Sequence, residues 1–218
     1  MNSRKILKKK LVVIQLTNEI NLCGILRNIE HSHVIGDIEF DKADLIVQRS
    51  DGTDDIINIR FKRFSNTYKD GDFVRLKGNV RSYSKQLENG KNKVDVYVFT
   101  YFDEPEKDDD NNNLFVIDGR ICKIEDVRVL PSGKKNIHFI IANNLNVGDG
   151  KKLNSYLPCI AWGKMAKEIS NMNVNDYVLI CGRLQSREYK KYISKDDFEI
   201  RVAHELYVES IEKDDEKL

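Results

Sequence analysis

Apolar and polar residues alternate through ten stretches of the chain, five on either side of a polar interruption. The first five are "NEINLCGILRNIE", "ADLIVQRS", "DDIINIRFKRF", "GDFVRLKGNVRSYS" and "KVDVYVFTYF". The second five are "NLFVIDGRICKIE", "IHFIIANN", "SYLPCIAWGKM", "NDYVLICGRLQSREY" and "DFEIRVAHELYV". A period of two, rich in Val, Ile, Leu and Tyr and broken by Gly, Asn and Asp clusters, predicts β-strands, here mostly antiparallel. The interruption "EPEKDDDNNN" is acidic, polar and without period, and reads as a linker.

The two sets of five are in register with one another, which marks an internal repeat. Gly24 matches Gly119 at a shift of 95, and Leu45 to Val47 match Phe139 to Ile141 at 94. Gly78 matches Gly182, and Val98 matches Val202, both at 104. The extra length falls between the second and fourth runs of the second half. There "GKMAKEISNM" puts Met165, Ile169 and Met172 at helical spacing, predicting one short helix. The first half has only "KRFSNTYKDG" at that place, so its helix is short or absent. Five strands with a helix between the third and fourth is the plan of the OB-fold. The expected fold is therefore all-β, two tandem five-stranded OB-fold barrels with at most one short helix each. The expected division is 1–16 basic segment, 17–104 first barrel, 105–113 linker, 114–212 second barrel and 213–218 short charged tail.

Alternation in the fourth run of each half carries the functional signal. Val178, Ile180, Gly182 and Leu184 share one side, while Arg183, Gln185, Arg187 and Tyr189 share the other. In the first half Arg75, Lys77, Arg81 and Tyr83 share the outward side. Cations interleaved with aromatics suit a single nucleic-acid strand, whose phosphates pair with Arg and Lys and whose bases stack on rings. A solvated outer strand face has similar composition, and the residues alone leave both readings open.

Charge changes this picture little: 36 basic residues nearly balance 35 acidic ones, so nucleic-acid binding must rest on a local patch. Cys23, Cys122, Cys159 and Cys181 have no metal-ligand spacing and read as strand thiols of a reducing compartment. His31 and His33 fall in a hairpin, and with His138 and His204 they form no ligand pattern. No P-loop, GxSxG, HExxH or GxGxxG occurs, and no nucleophile–base constellation, so neither an enzyme nor a cofactor is expected. No apolar run approaches a membrane span, and the N-terminal "MNSRKILKKKLVVIQL" lacks a signal-peptide pattern. The expected compartment is the cytoplasm, in association with the nucleoid.

The second half also resembles the bacterial and phage single-stranded DNA-binding protein family. The resemblance rests on "VIDGRI", "LPSGKKNIHFIIANN", "LPCIAWGKMAKEI" and "VLICGRLQSREY", in that order. It implies stacking by Trp162, before "GK", by Tyr156, six residues earlier, and by Tyr189, seven residues after Gly182. It implies phosphate contacts by Arg183 and Arg187. The family's aromatic after strand two has no counterpart in "NNLNVGDG". In the first half the same comparison sets Phe61 at the place of Trp162 and Asp55 at that of Tyr156, with Tyr83, Tyr97 and Tyr101 as other stacking candidates. It further implies a homodimer with four OB-folds and replication proteins as partners, although the tail "EKDDEKL" lacks the family's hydrophobic ending. Three functions stay open: a sequence-tolerant single-stranded DNA binder of replication, recombination or repair, a primosome accessory protein working through protein contacts, and an RNA-binding module.

Overall fold

The computed structural model describes residues 18–63, 68–86, 92–102, 113–146, 151–194 and 197–214. The basic N-terminal segment, most of the linker and the last four residues lie outside them. In the first half the strands are β1 (Asn18–Ile35), β2 (Ile38–Gln48), β3 (Asp54–Lys62), β4 (Phe73–Gln86) and β5 (Asn92–Phe102). In the second half they are β6 (Asn113–Ile124), the short β7 (Arg128–Val129), β8 (Lys135–Asn146), β9 (Lys152–Trp162), β10 (Tyr177–Tyr192) and β11 (Phe198–Lys213), with helix α1 (Gly163–Ile169) after β9.

Each half closes on itself by the same pairings. β1 pairs β2 and β4, β2 pairs β3, β4 pairs β5, and β3 meets β5 in parallel. β6, β8, β9, β10 and β11 repeat this order, again with one parallel contact, β9 to β11. Closure removes the open sheet edges that would otherwise invite foreign strands. The expected inward residues fill the interior: Val74, Leu76, Val80, Val178, Ile180 and Leu184 are buried. Ala166 and Ile169 of α1 join the same core, with Met165 and Met172 packed against it, although Met172 lies beyond the helix end. In the first half the described residues between β3 and β4 form no helix.

The glycines that anchor the repeat sit where a neighbouring backbone comes too close for a side chain. A Cβ on Gly24 would overlap the Ile46 carbonyl oxygen, and one on Gly119 would lie 2.6 Å from that of Ala142. Gly78 and Gly182 stand in the same way against the Phe99 and Tyr207 carbonyls.

The pairing registers correct three of the expected matches. Leu26 faces Leu45 and Ile121 faces Ile141, so Leu45 corresponds to Ile141, not Phe139. Val80 faces Val98 and Leu184 faces Leu206, so Val98 corresponds to Leu206, not Val202. Ile59 lies beside Val98 and Cys159 beside Leu206, so β3 and β9 match at a shift of 100. Phe61 therefore corresponds to Ala161 and Asp55 to Ser155. The true counterparts of Tyr156 and Trp162 are Ile56 and Lys62. The first two errors are even and keep each side chain on its face. The third is a single residue, and a single-residue slip exchanges inside for outside.

The barrels join through β1 and β6, which pair antiparallel from Asn18 opposite Ile117 to Leu22 opposite Asn113. Two asparagines mark the pseudo-twofold relation. Asn18 receives the Val80 amide on Oδ1 (2.8 Å) and donates to the Val80 carbonyl (2.8 Å). Asn113 does the same for Leu184, at 2.9 and 2.7 Å. Asn113, placed in the linker by the sequence reading, is thus the first residue of the second barrel's β6.

Candidate nucleic-acid interface

The outer face of β8, β9, β11 and β10 collects the residues singled out in the second half. Along β9, Ser155, Leu157, Cys159 and Ala161 point inward and are buried, which turns Tyr156 and Trp162 outward. Tyr156 is 57% exposed, while Trp162 is half-buried. Trp162 lies in a groove with Tyr207, Val127, Leu130 and four lysines: Lys134 just before β8, Lys135 at its start, and Lys164 and Lys167 from α1. None of these lysines has an ion-pair partner among the described residues. The groove therefore offers a ring, an apolar wall and four cations, a combination suited to a base with its phosphates.

The arginines of β10 are placed differently. The Arg183 guanidinium lies over the Tyr207 ring at 4.5 Å and donates to Asp55 Oδ2 (3.3 Å) and Gln185 Oε1 (3.1 Å). Asp55 belongs to the other barrel. It is fully buried and also accepts from Arg49 Nε (2.8 Å) and from the Ser186 amide (2.7 Å). That bond holds Arg49 above the ordinary arginine pKa, despite the opposing effect of burial. Arg183 is thus committed to a link between barrels rather than left open for phosphate. Arg187 donates to Glu205 Oε1 (3.3 Å), yet half of its side chain is exposed and its guanidinium lies 5.8 Å from the Tyr189 ring. Glu205, buried on this face, also accepts from Gln185 Nε2 (3.0 Å).

The first barrel's candidates separate into three groups. Phe61 is 3% exposed in the core, as its match to Ala161 requires, and has no ring face to present. Arg75 and Lys77 pair with Cys23 and Asn21 of β1, at least about 20 Å along β4 from Tyr83. Arg81 and Tyr83 do meet other aromatics. The Arg81 guanidinium lies 3.9 Å from the Phe99 ring, and burial lowers its pKa. Tyr83 meets Tyr97 edge-on at 6.1 Å, with Arg60 over both rings at 5.0 and 4.1 Å. The side chain of Tyr101 lies outside the described residues. The sequence reading missed Tyr207, Arg60, Phe99 and the four lysines. Tyr207 was detectable, because it alternates with the buried Leu206 and Val208.

Among the described residues, no helix is long and apolar enough to cross a membrane. A profile of the Single-strand binding protein family matches residues 112–213. Over 82 residues, 36% of this chain and 62% of the relative, the chain is 34% identical to Single-stranded DNA-binding protein 1 of Streptococcus pyogenes serotype M18 (strain MGAS8232). Over 81 residues, 36% of this chain and 56% of the relative, it is 31% identical to a Single-stranded DNA-binding protein of Clostridium tetani (strain Massachusetts / E88). The chain thus spans less than two thirds of the length of either relative. The crystal structure of wild-type single-stranded DNA binding protein from Thermus aquaticus superposes with a TM-score of 0.69 at 17% identity, covering 91% of this chain and 93% of that one. That likeness extends the shared fold over both barrels. The family likeness of the chain is thus carried by residues 112–213, the second barrel, while the first barrel shares the fold.

Proposed function

We propose that this protein binds single-stranded DNA with little sequence preference, as a non-catalytic coating protein of replication, recombination or repair in the cytoplasm. The observation that carries the reading is the half-buried Trp162 in its groove of four lysines without ion-pair partners among the described residues. Trp162, Tyr156 and Tyr189 stack bases, each stack contributing about 1–3 kcal/mol. Lys134, Lys135, Lys164, Lys167 and the exposed side of Arg187 meet phosphates. Arg183 acts through Tyr207 as a positioning residue. The assembled form is a homodimer with four barrels, which displays interaction surfaces to replication proteins.

Trp162 is the chain's one tryptophan, so its fluorescence reports the groove directly. Titration with dT and rU oligomers at two salt concentrations should give strong quenching by dT. The log of the affinity should fall with log salt by about 0.7 for each phosphate neutralised. Absence of both quenching and a mobility shift at micromolar protein overturns the reading. Equal quenching by rU makes the ligand single-stranded nucleic acid in general and removes the DNA assignment.

A further inference from the structure

The pseudo-twofold axis creates two places where strand four of one barrel meets strand three of the other, and the two differ. At the first, the Ser82 amide of β4 donates to Ser155 Oγ of β9 (3.3 Å). At the second, the Ser186 amide of β10 donates to Asp55 of β3, the counterpart of Ser155. The second is fastened by further bonds. Asp55 holds Arg49 and Arg183, the Ile56 amide donates to Ser186 Oγ (2.8 Å), and His204 Nε2–H donates to the Ile56 carbonyl (2.8 Å). An isoleucine, Ile56, stands there where the other crossing has Tyr156, and the Arg49 and Arg183 guanidiniums are held by Asp55.

Among the described residues, the first crossing has the neutral Ser82–Ser155 bond, with a bond from the Asn18 side-chain amide to Asn143 Oδ1 (2.8 Å) buried beside it, and an aromatic on each side. Tyr83 follows Ser82 and Tyr156 follows Ser155, and they are 41% and 57% exposed. Behind Tyr83 lie Tyr97 and the Arg60 guanidinium, which adds a cation to the ring pair. Lys42 stands in the same hollow, ion-paired with Glu30 (2.8 Å), and Asp44 and Asp95 also line it.

We propose that one strand of DNA passes between the barrels of a single chain at the Ser82–Ser155 crossing and not at the Ser186–Asp55 crossing, with Tyr83 as the first stacking residue beyond Tyr156. The proposal rests on the single-stranded DNA reading above. It makes the site of one chain continuous from Trp162 through Tyr156 to Tyr83 and Arg60.

The test uses the full chain and two dT lengths: about 8 nucleotides, within the reach of one barrel, and about 20, enough for both, given site sizes of about 4–16 per OB-fold. Tyr83→Ala should weaken binding of the longer oligomer roughly tenfold and leave the shorter one within about twofold of the parent, as one lost stack requires. The unchanged short-oligomer affinity, together with an unchanged melting temperature, reports that the variant is folded. Photo-crosslinking of a 5-iododeoxyuridine oligomer of the longer length, mapped by peptide mass spectrometry, should give adducts at both Tyr156 and Tyr83. Equal affinity of variant and parent for the long oligomer, or adducts confined to the second barrel, overturns the proposal. If neither length quenches Trp162 in the parent protein, the DNA reading itself fails, which is a separate outcome.

Discussion

Asp55 has no solvent exposure, and its donors come from both barrels. A buried carboxylate is costly unless several donors surround it, and two guanidiniums with a backbone amide meet that condition. Removing it leaves Arg49 and Arg183 three-quarters buried without their counter-charge. Asp55→Ala should therefore destabilise the fold by about 3 kcal/mol, read from the urea midpoint. An unchanged midpoint would mean that the cluster does not fasten the barrels. By sequence alone Asp55 takes the place of Tyr156, and Phe61 that of Trp162. Strand register is set instead by which backbone groups meet across β2, β3 and β5, and no glycine anchors β3 in the text of the sequence. A one-residue offset was enough to send Asp55 and Phe61 to the wrong face.

At the scale of elements, the hairpins that close the two barrels differ in length. Gly78 faces Thr100, 22 residues on, whereas Gly182 faces Val208, 26 residues on, so the β10–β11 hairpin is four residues longer. Its inner side carries Ser186 and His204 onto the Ile56 backbone of β3. Burial pushes the His204 pKa below its ordinary value, against the pull of the Ile56 carbonyl and of Asp44, Asp95 and Asp55. The folded state thus prefers neutral His204, while the unfolded chain takes up a proton near pH ~6.5. The stabilisation is complete above that pH and is lost as pH falls from it through the lower folded value. The melting temperature should drop between about pH 7.5 and 5.5, and His204→Gln should flatten that slope. An unaltered slope in the variant would place its source elsewhere. Carboxylates held low, such as Asp176 beside Lys213 and the Asn173 amide, act only below about pH 4 and leave this window clear.

At the scale of the whole molecule, the β1–β6 pairing and the two asparagine clamps make one body of two barrels. Several apolar side chains remain outside, among them Val34 and Ile35 on the β1–β2 hairpin and Ile193 and Ile200 on the β10–β11 hairpin. A second copy would cover such surface, in line with the proposed homodimer. Light scattering should then give a mass twice the 25.3 kDa of the chain, and a mass equal to one chain would refute the dimer. The five barrel strands of each half, the inward residues of β4 and β10, the repeat and the helix begun by "GKMAKEI" were all legible in the sequence, whereas the short β7 was not. Each depends on local alternation, spacing or turn chemistry, which successive residues display directly. The partners of Asp55, the loss of Arg183 to an inter-barrel bond, the lysines gathered around Trp162 and the difference between the two crossings were decided only by the tertiary structure. They depend on groups up to 148 residues apart, as in the Ile56–His204 bond, and on strand register, which sequence period constrains only to within a shift of two.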